Sequence, residues 1–170
     1  MACHSNGLTI WTADSGLGPF REVARILNNS FPAGGVQVNG FDGSPVLSVW
    51  EDPFLWIDQR GHWHLVCHTI PRGHPYNNIV SGHAFSTDGI AWTFAATQPW
   101  DATVAHQGGE TVTYATRERP SLLFEDGRPT ALYTGVVPYG GPNGKGETGL
   151  TDWSFTLMQP IASGAHVDAV

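Results

Sequence analysis

Residues 50–69 read WEDPFLWIDQRGHWHLVCHT, and residues 117–136 read RERPSLLFEDGRPTALYTGV. The second stretch is a loose copy of the first. When Glu51-Asp52-Pro53-Phe54-Leu55-Trp56-Ile57-Asp58 is laid over Glu118-Arg119-Pro120-Ser121-Leu122-Leu123-Phe124-Glu125, the glutamate, the proline, one leucine and the closing acid coincide. Each run then meets a glycine turn, Gln59-Arg60-Gly61 or Asp126-Gly127, and a second apolar run, HWHLVCH or TALYTGV. The prolines Pro53 and Pro120 are 67 residues apart. Repetition of a unit of several strands is the signature of radial or stacked architectures.

Working outward, short β-type runs recur at PFLWI (53–57), HWHLVCH (62–68), GHAFS (82–86), AWTFAA (91–96), ETVTYAT (110–116), PSLLFE (120–125), TALYTGV (130–136) and SFTLMQ (154–159). Thr87-Asp88-Gly89 adds a further turn, and GGPNGKGETG (140–149) is the longest breaker. One helix candidate exists, PFREVARIL at 19–27, which reads equally as a strand or an irregular segment. Residues 28–49 read as loop. Short strands between regular turns predict a sandwich, barrel or propeller, and the internal copy favours the propeller. The 67-residue offset exceeds a blade of roughly 40–50 residues, so it implies inserted loops.

Composition agrees. The chain has 170 residues, enough for a single domain with a core, and 41% hydrophobic against 14% charged residues marks it as globular. Gly 21, Pro 12 and Trp 7 suit an all-β chain rich in turns. A formal charge of −7, with Lys145 the sole lysine, excludes a phosphate-tracking surface and so argues against nucleic acid as a partner. No apolar run approaches the ~20 residues of a membrane helix, so no membrane partner is expected. Of Cys3 and Cys67, the second lies in an apolar run and reads as a buried free thiol.

Proline is tolerated at a strand's first residue and holds its predecessor extended. Asp52 and Glu118 are therefore expected at two strand starts, with fixed directions. In a propeller such starts converge on a central channel. Two convergent carboxylates are the raw material of glycoside hydrolysis, one protonating the leaving oxygen and one activating water. The plainer reading is a turn cap at each site, with Glu118 in an ion-pair network between Arg117 and Arg119.

These residues also carry a resemblance. WEDPFLWIDQRGHWHLVCH, SGHAFSTDGIAWTF, RERPSLLFEDGRPTALYTGV and SFTLMQPI resemble the five-bladed β-propellers of glycoside hydrolase family 43 and their family 32 relatives, and look most like a family-43-like branch. The resemblance covers about residues 8–161, leaving a 162–170 tail, and matches the C-terminal part of the family's domain, roughly three blades' worth of strands. It implies a single domain, 1–170, that is an incomplete propeller acting on polysaccharide or oligosaccharide. Asp52 matches the family's second Asp-Pro, which tunes the acid's pKa, and Glu118 matches its Glu-x-Pro general acid. The first-blade Asp-Pro base has no counterpart, and Arg119 stands where the family usually has glycine. The resemblance implies no cofactor, with a structural calcium in the channel the one conceivable ion. It also suggests a secreted protein, although MACHSNGLTIWTADSG shows no signal peptide.

Trp50, Glu51, Arg117, Arg119 and His83 are the expected substrate-binding residues. Trp50 would share a strand face with Asp52 and could stack on a sugar, though a core role is the default for tryptophan. Trp63, Trp92 and Trp153 are expected to pack between blades. His62, His64 and His68 share a strand face and read as outward polar positions rather than metal ligands, so no metal ligand is assigned. Asp58, Asp88 and Asp126 read as turn residues. No Gly-x-Ser-x-Gly elbow or phosphate loop occurs. The alternative to a hydrolase is a non-catalytic, lectin-like carbohydrate-binding propeller.

Overall fold

A computed structural model describes residues 2–4, 8–26, 37–39, 45–71, 81–95, 97–138 and 154–162. Every regular element among them is a strand: β1 (Ala2–His4), β2 (Leu8–Thr12), β3 (Arg21–Ile26), β4 (Gln37–Asn39), β5 (Pro45–Ile57), β6 (Trp63–Pro71), β7 (Ser81–Ser86), β8 (Thr93–Phe94), β9 (Thr103–Ala105), β10 (Thr111–Glu125), β11 (Arg128–Pro138) and β12 (Phe155–Pro160). They form three antiparallel sheets in chain order: β1-β2-β3, β4-β5-β6-β7-β8, and β9-β10-β11-β12. The segment at 19–27 resolves as strand β3. The loop-like stretch 28–49 contains β4 and the start of β5, and ETVTYAT and PSLLFE prove to be one strand, β10. The breaker at 140–149 lies outside the described residues.

Alternation along β6 shows how the sheets stack. Leu65 and Cys67 turn to one side, against Leu8 and Ile10 of the first sheet, with Leu55, Ala24 and Trp92 completing that layer. Val66 turns to the other side, against Leu132 of the third sheet and Trp100 and Ala102 of the segment leading into it, with Phe54, Trp56, Leu122 and Ile161 around them. The middle sheet is thus covered on both faces. Ser81 adds a polar tie beneath this layer: its hydroxyl donates to the Trp100 carbonyl and accepts from the Trp100 N–H at 3.1 Å. Cys67 is a buried free thiol, as expected, and burial pushes its pKa well up. Trp92 joins the first layer, but Trp63 packs instead over the Gly89 turn, where a Cβ would meet its ring at 3.0 Å. Trp153 lies outside the described residues.

The internal copy is a structural repeat. Leu55 pairs with Leu65, and Leu122, at the same offset, pairs with Leu132. A short strand, β4 or β9, pairs with the first three residues of each long strand, β5 or β10. Repeat-related turns also touch, since Gln59 Nε2 donates to the carbonyl of Asp126, 67 residues on. Meandering antiparallel sheets stacked through apolar layers are consistent with part of a propeller.

Two expectations about the acid–proline pairs are corrected. Pro53 and Pro120 lie inside β5 and β10, not at their starts, and each sits at a β-bulge. The register runs from Glu51↔His68 to Phe54↔Val66, and from Glu118↔Gly135 to Ser121↔Tyr133. Two residues oppose one in each case, so the missing proline N–H falls where the ladder is already broken. The residues before the prolines are left-handed rather than extended, with φ 51° at Asp52 and 55° at Arg119. The bulge geometry overrides the usual pre-proline preference.

Leu65 is fully buried between the first and second sheets. Leu65→Ala should lower the unfolding free energy by roughly 2–5 kcal/mol, read from urea denaturation. A loss under about 1 kcal/mol would contradict the two-sided packing of β6.

Candidate functional site

Each bulge changes the parity of its strand. Glu51 and Phe54 are three residues apart, yet the extra residue puts both on the face shared by His68 and Val66. The second bulge does the same for Glu118 and Ser121. The outcome is a compact group of Glu51, Asp52, His68 and Glu118, each offering one polar atom within 4.8 Å of the others. Two strands from two sheets supply the carboxylates, and β6 supplies the imidazole.

Contacts within the group are specific. His68 Nδ1 lies 3.1 Å from Glu51 Oε1 and 3.9 Å from Glu118 Oε2. Arg119 Nη1 lies 3.1 Å from Glu118 Oε2, with its side chain 68% exposed. The Thr116 hydroxyl donates to Glu118 Oε1 at 3.3 Å. Asp52 Oδ2 is buried and has no hydrogen-bond partner among the described residues. Burial raises the Asp52 pKa, Glu51 adds to the rise, Arg119 and His68 oppose it, and Glu118 raises it slightly. Asp52 is therefore the carboxyl of the group that takes a proton more readily than an ordinary aspartate.

The other expected site residues separate from this group. Arg117 is 1% exposed and turns into the third sheet, donating to Thr134 Oγ1 at 3.1 Å, the Asp101 carbonyl at 3.0 Å and Gln159 Oε1 at 2.7 Å. These acceptors are all neutral, and burial pulls its pKa down to about 10. It clasps β10, β11 and β12 together. The Trp50 side chain lies outside the described residues.

His83 sits further along the interface between the second and third sheets, not with the carboxylates. Its Nε2 is 3.1 Å from His64 Nδ1, and His64 Nε2 is 3.5 Å from Asp58 Oδ2. His64 stacks on Trp56 at 4.9 Å and on His83 at 5.4 Å. The histidine face of β6 is thus an interior face, because the third sheet covers it. Burial opposes the charge on Asp58, but hydrogen bonds from His62 N–H, from the Arg60 side chain and N–H and from His64 outweigh it, holding the pKa down at about 2. Burial, with His64 adding to it, pulls His83 down to about 4. Burial lowers His64 too, against the opposing pull of Asp58.

Glu51, Asp52, His68 and Glu118 form a group that could hold a cation, though an imidazole is not among calcium's usual oxygen ligands and Glu118 already has a cationic partner in Arg119. What the group can do is hold and move a proton between carboxyls in a partly desolvated setting. His68 was not among the expected site residues. Its signal was positional, since it is the β6 residue directly opposite Glu51.

The chain is similar to plant beta-fructofuranosidases. An insoluble isoenzyme from Arabidopsis thaliana is 24% identical over 143 residues, covering 77% of this chain and 23% of that protein. Insoluble isoenzyme 1 from Daucus carota is 28% identical over 107 residues, covering 60% and 16%. A cell wall isozyme from Zea mays is 29% identical over 97 residues, covering 57% and 15%. The chain thus spans less than a quarter of the length of these relatives. No family model matches it, and no solved structure matches it. The similarity lies with glycoside hydrolases, on the family 32 side of the resemblance.

The neutral imidazole of His83 gives a signed pH dependence. Its folded pKa of about 4 lies below the ordinary value of 6.5, so the unfolded chain binds the proton first. This contribution to stability is complete above pH ~6.5 and is lost as the pH falls towards 4. Across that window wild type should lose roughly 2–3 kcal/mol more than His83→Gln, measured by denaturant titration at stepped pH. Parallel pH curves for the two proteins would contradict a buried neutral His83.

Proposed function

We propose that this chain is part of a glycoside hydrolase β-propeller of the five-bladed kind, supplying consecutive blades and the proton-donor side of the active site. Its substrate is a glycosidic bond in an oligosaccharide or polysaccharide. The similarity to beta-fructofuranosidases makes a β-fructofuranoside the first substrate to test. One observation carries this reading: two repeat-related bulges bring Asp52 and Glu118, from different sheets, into one group.

In this reading Glu118 gives its proton to the glycosidic oxygen as the bond breaks, and the leaving sugar departs as an alcohol. Asp52 orients Glu118 and adjusts its proton affinity. Their nearest atoms lie within 4.8 Å, too close for an inverting acid–base pair at ~6.5–9.5 Å and nearer the ~5–5.5 Å of a retaining pair. The family resemblance gives Asp52 the part of the acid's neighbour, with the second reacting carboxylate supplied from elsewhere in the ring. The left-handed backbone at Asp52 and Arg119 supports a functional reading, since such strain persists mainly where geometry serves a site. Trp50, Glu51, Arg119 and the family-43-like affinity belong to the same proposal.

A second reading, a non-catalytic carbohydrate-binding propeller, is favoured by the ion pair of Arg119 with Glu118 at 3.1 Å. It ties up the carboxyl that a proton donor needs free.

The two readings part on one comparison. With sucrose or a short oligofructoside, a complete propeller that contains this chain should release reducing sugar. Glu118→Gln should cut kcat by ~10²–10⁴-fold, the usual contribution of general acid catalysis. Binding, followed by tryptophan fluorescence, should persist in the variant. Binding without any sugar release by that complete propeller favours the second reading, and unchanged turnover in its Glu118→Gln variant removes Glu118 from the mechanism.

A further inference from the structure

We propose that His68 is a positioning residue that links the two repeat-related glutamates, holding Glu118 against Glu51 through a single Nδ1–H. The proposal deepens the hydrolase reading and rests on it for its kinetic part, while the link itself stands on geometry alone.

His68 is buried at 8% exposure on β6, directly opposite Glu51. A carboxylate has acceptors only, so the 3.1 Å contact with Glu51 Oε1 makes Nδ1 the donor. The same nitrogen faces Glu118 Oε2 at 3.9 Å, from the neighbouring sheet. Glu51 and Glu118 occupy the same place in the two repeats, each just before the left-handed residue of a bulge. One donor therefore stands between two equivalent carboxylates that reach it from two sheets.

The groups facing this imidazole are few. Glu51 and Asp52 face it from β5, Glu118 and Arg119 from β10, and Ser81 is its register partner on β7. Three of these are carboxylates that repel one another, and one is a cation. Arg119 is two-thirds exposed and, among the described residues, forms its ion pair with Glu118, so solvent screens it. His68 is the more buried donor: its Nδ1 hydrogen-bonds Glu51 Oε1 at 3.1 Å and faces Glu118 Oε2 at 3.9 Å, an electrostatic rather than a hydrogen-bonded contact. Without it Glu118 keeps the Thr116 hydroxyl and Arg119, both from its own strand, and loses the imidazole N–H that faces it from the second sheet. The carboxyl would then be free to swing with Arg119 towards solvent. In the hydrolase reading this costs turnover rather than substrate affinity, because the acid's aim matters as the bond breaks.

The test is long-range ¹H–¹⁵N NMR of the imidazoles in the 170-residue chain at pH 7, with Glu51→Gln and Glu118→Gln as conservative variants checked for unchanged melting temperature. His68 should show a protonated Nδ1, and each variant separately should shift that nitrogen. An Nδ1 without a proton, or an Nδ1 that moves in Glu51→Gln and stays still in Glu118→Gln, would overturn the link. The kinetic arm uses sucrose: His68→Leu should lower kcat at least about tenfold with KM little changed, and His68→Asn, whose amide nitrogen can stand in for Nδ1, should recover most of it. Equal losses in the Leu and Asn variants, or a change in KM alone, would overturn the positioning role. The kinetic arm is run in a complete propeller that contains this chain; absence of sugar release by its wild type would count against the hydrolase reading, and the NMR result would still decide the link.

Discussion

The structure depends on a backbone constraint used twice, a left-handed residue before a proline in the middle of a long strand. Asp52 and Arg119 have nearly the same φ and stand at the same point of two bulges. A left-handed non-glycine residue costs roughly 1–2 kcal/mol. Aspartate is among the side chains that tolerate it best, and arginine is not. The ladders on either side hold both in place, from Ser48↔Pro71 to Ile57↔Trp63 in one sheet and from Tyr114↔Pro138 to Glu125↔Arg128 in the other. The bulges turn each strand over by one residue, so the glutamate before the bulge faces where the parity of an unbroken strand would not put it. Apolar packing below and a polar group above then follow from the same chain.

Charge is distributed unevenly around this constraint. Glu51, Asp52 and Glu118 crowd together against one exposed arginine and one histidine. A buried arginine, Arg117, lies one residue away from Glu118 and is held by three neutral oxygens. The bulged strand keeps Arg117 and Glu118 on opposite faces, so the buried cation does not quench the carboxylate group. Burial and Glu51 leave Asp52 inclined to keep a proton, and its Oδ2 has no donor among the described residues to settle it. Arg117 takes no part in the ion pairs of the group, which run through Arg119 and His68.

Much of this was legible in the sequence. The 67-residue repeat was visible in Glu51/Glu118, Pro53/Pro120 and Leu55/Leu122, and it maps onto equivalent register pairs. The all-β class followed from short apolar runs between glycine turns. What misled was local reasoning applied where tertiary packing decides. Proline suggested a strand start and an extended predecessor, because a bulge leaves no mark in composition. Alternation in HWHLVCH suggested an outward histidine face, because one sequence does not show that a second sheet covers it. His68 and His64 therefore read as surface residues, although one belongs to the carboxylate group and the other to an aromatic stack. Arg117 and Arg119 looked alike in sequence, and only the intervening bulge separates a core clasp from a site residue.

The central claim is that Asp52 and Glu118 share one site. A double-mutant cycle on unfolding free energy, using Asp52→Asn, Glu118→Gln and the double variant at pH 7 and low salt, tests it most directly. The account predicts non-additivity of at least about 0.5 kcal/mol, with the double variant gaining less than the two singles together, because either substitution alone already relieves their repulsion. Additive effects would mean that the two carboxyls do not meet, and the site described here would not exist.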